Sequence, residues 1–403
     1  MVDGSGLPFT AEAEPEVSRP SVVVVTYSWG ADWTEANAVV RLVSGALALD
    51  ARVAIVSLED PGAALRQPRH IRRDGVFHVY STAAAPSHND RADLLRTAFM
   101  RQPGSVMPER ALRGALGLEA RAGAEALSVI SDLRPDVLVL AGTGSFWSDA
   151  LPLGSSGPRV VLLPLCGDDP VLSSESLRPL LTRADAIGVF SAAEHRRVAE
   201  ALSISATEDR VQHLRVAFPV NRLAAATAMA GMAPFGRYLL VLSGLPGDPV
   251  RRTTPPHDFL REVLGDVAIA EVGAESWVVT GGTDRFEISW TPSRMILWRL
   301  MAGAEVMLDV RSQGPVAREA IESLCFGTPI VVPERSVAAE HAAQSNGGLW
   351  YLAPGEMTDC IATLLSRRAL RDALGANGKE WAERWHSDTP AFVDATRRLV
   401  LGK

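Results

Sequence analysis

Glu319 and Glu322 stand one helical turn apart in the stretch Gly314-Pro-Val-Ala-Arg-Glu-Ala-Ile-Glu322-Ser-Leu-Cys-Phe-Gly327-Thr-Pro-Ile-Val-Val-Pro333. The loop ending in Gly314-Pro315 opens a helix at about Val316, and Gly327 stops it before a short apolar strand, Ile330 to Val332. Backbone N–H groups in the first turn of such a helix have no partner within the helix, and the dipole is positive there, so the start of this segment suits a phosphate. A carboxylate further along the same helix accepts hydroxyl hydrogen bonds, which its charge strengthens. Other chemistries lack their residues. No Gly-x-Ser-x-Gly elbow or P-loop occurs, and Asp168-Asp169 and the scattered histidines have no spacing that suits a transition metal.

The elements that must position these groups read as strands and helices in alternation. Ser21-Val-Val-Val-Val-Thr26 is a β-branched run of the kind found in a strand covered on both faces. After the loop Tyr27 to Ala31, a helix capped by Thr34 carries Ala38, Val39, Leu42, Val43, Ala46 and Leu47 on one face, and a second strand, Arg52 to Leu58, follows. That is a βαβ unit, whose right-handed crossover makes the sheet parallel. Further apolar runs end in turn residues: Asp136 to Ala141 before Gly142, Arg159 to Pro164 before Cys166-Gly167-Asp168-Asp169, and Ala184 to Phe190. Between them, Tyr80 to Pro108 has no clear period and is expected to be loop with a short helix near Leu94. Leu214 to Pro219 is expected as the last strand of a first domain, with Asn221 to Pro234 as the connection. A second series starts at Tyr238 to Leu242, closing on Ser243-Gly244, and continues through Ser276 to Val279, ending in Thr280-Gly281-Gly282, and Ala304 to Asp309. The expectation is α/β with two Rossmann-like domains whose parallel sheets face each other across a cleft, where ligands bind beyond the carboxyl ends of the strands. The boundaries read as a disordered leader over 1–20, a first domain over 21–221, a second over 222–385 and a closing helix over 386–403, with Gly375, Gly378 and Pro390 as breaks in the helical tail.

A net charge of −7 argues against a dedicated nucleic-acid binder, which needs a basic footprint. No apolar run reaches the roughly 18 residues needed to span a bilayer, and the N-terminus does not resemble a secretion signal, so the expected location is cytoplasmic, with any membrane contact peripheral. Cys166, Cys325 and Cys360 are widely spaced and read as reduced, buried, structural thiols.

With these elements in order, the chain resembles the GT-B fold glycosyltransferases of the large retaining family often called family 4. The likeness is most specific at Glu322 to Val332, which is similar to that family's Glu-Ala-Met-Ala-Cys-Gly-x-Pro-Val-Val segment, and weaker at Ala184-Asp185, Ser191-Ala-Ala-Glu194 and Phe218-Pro-Val-Asn221. The resemblance implies a sugar moved from a nucleoside diphosphate sugar to a small-molecule or lipid-linked acceptor, with retention, no metal and no cofactor beyond the donor itself. It implies donor contacts from the second domain at Gly244, Gly281, Gly282, Trp290, Gly314, Pro315, Val316, Glu319 and Glu322, the last holding the ribose hydroxyls. On the acceptor side it points to Gly30 and Ala31, where small residues let a ligand approach the backbone.

Departures from the family pattern are equally specific. A second glutamate, which contacts the donor sugar in the family, belongs eight residues before Glu322, and that position is Gly314. Glu319 is either a partial substitute or a solvated helical residue. The Arg and Lys expected after Gly244 are missing; Arg251-Arg252 either take over neutralisation of the leaving diphosphate or are ordinary surface arginines. A histidine expected after Pro164 is absent. Asp168 and Asp169 stand there instead, to orient an acceptor hydroxyl or amine or simply to make a turn. Two other readings therefore stay open: a GT-B protein without turnover, acting as the partner or binding subunit of a glycosylation complex, and a GT-B enzyme of altered chemistry on a nucleotide-linked substrate.

Overall fold

The computed structural model describes residues 19–29, 35–59, 69–82, 124–142, 157–166, 174–202, 209–218, 220, 236–243, 260, 264, 267–273, 276–281, 284–289, 294–311 and 314–402. Gly30, Ala31, Asp168, Asp169, Gly244, Arg251, Arg252, Gly282 and Trp290 lie outside the described residues, as do the expected leader up to residue 18, the helix near Leu94 and the connection at 221–234.

The valine run becomes β1 (Ser21–Ser28), between β2 (Arg52–Glu59) and β5 (Val137–Ala141), parallel to both. Its side chains alternate between two cores. Val22 and Val24 join the cluster that includes α1 (Glu35–Leu47), while Val23 and Val25 join the cluster of helix α2 over 124–133, and all four are at most 1% exposed. A strand buried on both faces needs apolar residues at both parities, so the run is continuous. β6 (Arg159–Leu163), β7 (Ala186–Val189) and β8 (Val211–His213) extend the sheet in parallel, with α3 (Ser174–Arg183) and α4 (Ala192–Leu202) connecting them. At the other edge, β4 (Phe77–Thr82) pairs parallel to β2, and β3 (Arg69–Asp74) closes the edge antiparallel to β4. The order is β3-β4-β2-β1-β5-β6-β7-β8. Leu214 to Phe218, expected as the last strand, is irregular chain after β8, tied by Leu214 N to Val189 O at 2.8 Å and by Phe218 N to His386 O at 3.2 Å.

The second sheet repeats the plan around β9 (Tyr238–Leu242), flanked in parallel by β10 (Ala268–Val272) and β13 (Val306–Asp309), with β14 (Ile330–Pro333) and β15 (Gly348–Tyr351) beyond β13. On the far side, β11 (Ser276–Gly281) and β12 (Asp284–Ser289) are antiparallel additions, giving β12-β11-β10-β9-β13-β14-β15. Apolar content predicts that a segment is a strand, but its direction depends on the connection, and the one between β10 and β11 is too short for a crossover. Helices α5 (Arg294–Gly303), α6 (Arg318–Phe326), α7 (Val337–Ser345) and α8 (Pro354–Ser366) pack in this domain, and Leu260 and Leu264, also helical, join its core.

The tail forms two helices. α9 (Arg368–His386) packs along α6 and α7, and α10 (Thr389–Leu401) packs against α1, β5 and β7 of the first domain. Gly375 and Gly378, expected as breaks, lie inside α9. They are required by proximity, since a Cβ on Gly375 would overlap the carbonyl oxygen of Gly327, and one on Gly378 would come within 2.5 Å of Leu324 Cδ2. Asp388 caps α10 by accepting from Ala391 N, and Pro390 sits in the first turn, where its missing N–H costs nothing. Arg397 pairs with Asp50, and Arg159 donates to Leu399 O, so the end of the chain is tied to the first domain.

Candidate functional site

β13 ends at Asp309, and the chain turns at the carboxyl edge of the second sheet into Gly314 and α6. Gly314 has φ of 153° and Ala317, the residue before α6, is left-handed with φ 50°. Ala317 has no side chain able to cap the helix, so the first-turn donors need an acceptor from elsewhere. They find it in the first domain. The Glu35 carboxylate, on the first residue of α1, accepts from Val316 N at 3.1 Å and Ala317 N at 3.0 Å through Oε2, and from Arg318 N at 3.1 Å through Oε1. The start of α6 is therefore an anion seat, with an anion in it.

The orientation of this seat is set from behind. His341 of α7 is buried, and its Nε2 lies 2.7 Å from Val316 O. Since that oxygen only accepts, Nε2 carries the proton. The carbonyl of Val316 and the N–H of Ala317 belong to one planar peptide and point in opposite directions, so holding the carbonyl aims the N–H at Glu35. Burial above all, and His386 beside it, bring the His341 pKa down to about 3, so the ring is neutral at ordinary pH.

Beneath the seat runs a chain of alternating charges. Arg311 donates to Asp309 through Nε at 2.8 Å and Nη2 at 2.7 Å, and Nη2 also reaches Glu319 Oε2 at 2.9 Å. Arg294, on the first residue of α5, donates from Nη1 to Glu319 Oε1 at 2.6 Å and from Nη2 to Glu322 Oε1 at 3.0 Å. Arg318 Nε closes the chain on Glu322 Oε1 at 2.8 Å, with its guanidinium 5.0 Å from the centre of the Phe218 ring. Glu322 Oε2 is 2.9 Å from Arg294 Nη2 without the angles of a hydrogen bond. Glu319 and Glu322 are both 0% exposed. Burial by itself would raise the pKa of Glu319, but Arg311, then Arg294, outweigh it and hold the carboxyl far below the usual carboxylate range. Three guanidinium groups thus balance three carboxylates.

These positions settle several local questions. Gly314, Pro315, Val316, Glu319 and Glu322 lie together, on one loop and helix at the cleft edge. The solvated alternative for Glu319 is excluded by its burial. Glu322 has both oxygens covered by arginines, so a ribose reaches it only if Arg294 or Arg318 gives way. Gly281 is a correction: β11 runs antiparallel, which puts Gly281 at the amino end of the sheet, next to the start of β10, while Gly314 follows the carboxyl end of β13. In the first domain, buried Glu194 accepts from Cys166 N at 2.9 Å and Phe190 N at 2.8 Å, joining the ends of β6 and β7 just before Asp168. Burial, then the Glu194 charge, pushes the Cys166 thiol pKa up and keeps it protonated. Cys325 is buried as well, while Cys360 is half-exposed.

Sequence reasoning missed Glu35, Arg294, Arg311 and His341. The only available signal was weak: an acidic residue at the start of α1 reads as a complement to its own helix dipole. A groove of about 670 Å³ at the amino end of the second sheet, lined by Arg237, Glu305 and Arg371, is remote from the seat, and its Glu305 pairs with both arginines. Among the described residues, no group of three or more His, Cys, Asp or Glu is placed to hold a metal ion, and no helix is long and apolar enough to cross a membrane.

No protein-family model and no curated protein matches the sequence. Solved structures do match in shape. An α,α-trehalose 6-phosphate synthase from Burkholderia multivorans is 16% identical, with a TM-score of 0.64 over 94% of this chain and 98% of the other. WaaG, a glycosyltransferase involved in lipopolysaccharide biosynthesis, is 12% identical, with a TM-score of 0.60 over 95% and 100%. The sucrose-phosphate synthase of Thermosynechococcus elongatus is 14% identical, with a TM-score of 0.60 over 94% and 98%. At these identities the likeness establishes the fold, which is GT-B: two Rossmann-like domains with the cleft between their sheets.

Proposed function

We propose that this protein is a glycosyltransferase that moves a sugar from a nucleoside diphosphate sugar to a small-molecule or lipid-linked acceptor, with retention and without a metal ion. One observation carries this: three backbone N–H groups at the start of α6 converge on one carboxylate at the cleft edge, so the loop after β13 is already built to hold an anion. A diphosphate has the charge and the acceptor oxygens for that seat. The helix dipole, together with Arg251 and Arg252, supplies the positive field that a leaving diphosphate needs, the role a metal would otherwise fill. Glu322 is then the ribose contact, released by a shift of Arg294. Trp290 and Gly244 complete the donor side, and Gly30, Ala31, Asp168 and Asp169 the acceptor side. In support, structures of the same fold have names that specify sugar transfer, and one from E. coli, 13% identical with a TM-score of 0.63, is bound with UDP-2-fluoro glucose. The domains are taken to divide near residue 221, with the chain beyond residue 385 packing back on the first.

The test is calorimetric titration with UDP-, GDP-, dTDP- and ADP-sugars, followed by product analysis with candidate acceptors. One nucleotide sugar is expected to bind and to raise the melting temperature as its concentration passes Kd. Absence of binding by the whole panel would remove donor recognition and leave the second reading, a partner subunit without turnover. That reading draws on Glu35 in the seat and the two arginines over Glu322.

A further inference from the structure

The geometry points to a reciprocal latch: two carboxylates, Glu35 on three backbone N–H groups and Glu340 on one, each at the start of a helix in the opposite domain, hold the cleft closed when it is empty. Glu35 reaches from α1 of the first domain to the start of α6 in the second, across 281 residues of sequence to Val316. Glu340, on α7 of the second domain, makes the return contact. Its Oε2 accepts from Ala192 N, the first residue of α4, at 2.9 Å, and its Oε1 lies 3.6 Å from Arg196 of the same helix. Each contact brings a formal negative charge to the positive end of a helix dipole.

Gly314 gives an independent reason to read the Glu35 contact as built in. A Cβ at 314 would overlap the Glu35 carboxylate, and φ of 153° is a conformation that L side chains rarely adopt. Any other residue here would expel Glu35 from its seat. His341 adds a second reason, since it aims the Ala317 N–H at Glu35 and lies one residue from the other latch carboxylate.

Glu35 and an incoming diphosphate require the same three N–H groups, so they exclude each other. Donor entry then releases one half of the latch, while Glu340 on α4 remains as the pivot. The competition rests on the donor seat proposed above; the latch itself rests only on the contacts described here. In thermodynamic terms the seat is available in only a fraction of the unliganded molecules, and apparent affinity is reduced by that fraction.

The test uses the full chain with Glu35→Ala, Glu340→Ala and the double variant, each confirmed as folded by circular dichroism. Small-angle scattering of the unliganded proteins is expected to show a larger radius of gyration in Glu35→Ala than in wild type, and the largest in the double variant. Titration with pyrophosphate and with UDP is expected to give Glu35→Ala a tighter Kd, about tenfold if roughly one wild-type molecule in ten has an open seat. An unchanged radius of gyration in the double variant overturns the latch, and weaker binding of both anions by Glu35→Ala overturns the competition between Glu35 and the diphosphate. If no variant binds either anion, the donor seat is refuted and the scattering alone decides the latch.

Discussion

Arg294→Met tests the buried charge chain directly, because Arg294 bridges two carboxylates that are 0% exposed while its own side chain is only 12% exposed. Methionine keeps much of the aliphatic length and removes the guanidinium, leaving Asp309, Glu319 and Glu322 against Arg311 and Arg318 alone. Breaking a buried pair by removing one partner typically costs about 3–5 kcal/mol, and since Glu319 and Glu322 each retain another arginine, the expected loss is at the lower end, about 3 kcal/mol. If the second domain unfolds as its own unit, that corresponds to a fall in its melting temperature of roughly 6–12 °C. The assay is urea unfolding followed by circular dichroism, with calorimetry to separate the transitions of the two domains. Two comparisons make the result specific. Arg368→Met removes an ion pair whose side chains are 84% and 61% exposed, and should stay within about 0.5 kcal/mol of wild type. Adding Glu319→Gln to Arg294→Met removes one stranded charge and should recover at least about 1 kcal/mol. A loss below about 1 kcal/mol for Arg294→Met, or no recovery in the double variant, would refute the view that these charges are held buried by mutual neutralisation.

Stability should fall in acid because of two histidines at the domain junction. His341 and His386 are held at about 3 and about 4, in both cases mainly by burial, with His213, Arg215 and Glu340 around them, against about 6.5 in the unfolded chain. The unfolded state alone takes up their protons as pH falls below 6.5, so their contribution is fully present above that value and is lost on the way down, by up to about 4 kcal/mol between about pH 7.5 and pH 5 for the pair. Urea midpoints across that range check it, and a His341→Gln, His386→Gln double variant should show a shallower slope. Gly375→Ala should destabilise by about 2 kcal/mol despite a helix-propensity gain near 1 kcal/mol, because its Cβ would overlap the backbone oxygen of Gly327; Gly355→Ala, whose Cβ would meet nothing within 4 Å, should be neutral or mildly stabilising. Ser336→Ala removes the hydroxyl that accepts from Ala339 N at the start of α7 and should cost about 1 kcal/mol in the same unfolding assay.

What the sequence determined by itself is what repeats along it. The valine run at 22–25 meant a strand buried on both faces, because apolar residues at both parities have no other economical arrangement, and the structure divides them between two cores. Glu322 to Val332 carried enough specific residues to indicate the fold, and Gly327, with φ 78°, stops α6 for the reason a glycine usually does. These features are local, and their physics is contained in a dozen consecutive side chains.

Tertiary structure decided the rest, because each case depends on what lies beside a residue in space. The direction of β11 follows from its connection, so Gly281 lies at the wrong end of the sheet for the site it was expected to join. Gly375 and Gly378 look like breaks because a sequence shows that a Cβ is missing and not what occupies its space, which here is the chain around Gly327 and Leu324. Gly314 looked like the loss of a carboxylate. The fold returns a carboxylate to that point from Glu35, 281 residues before Val316, because the closing of one sheet on another brings the first residue of α1 against the first turn of α6. No periodicity records such a meeting, since it depends on where both sheets end in space.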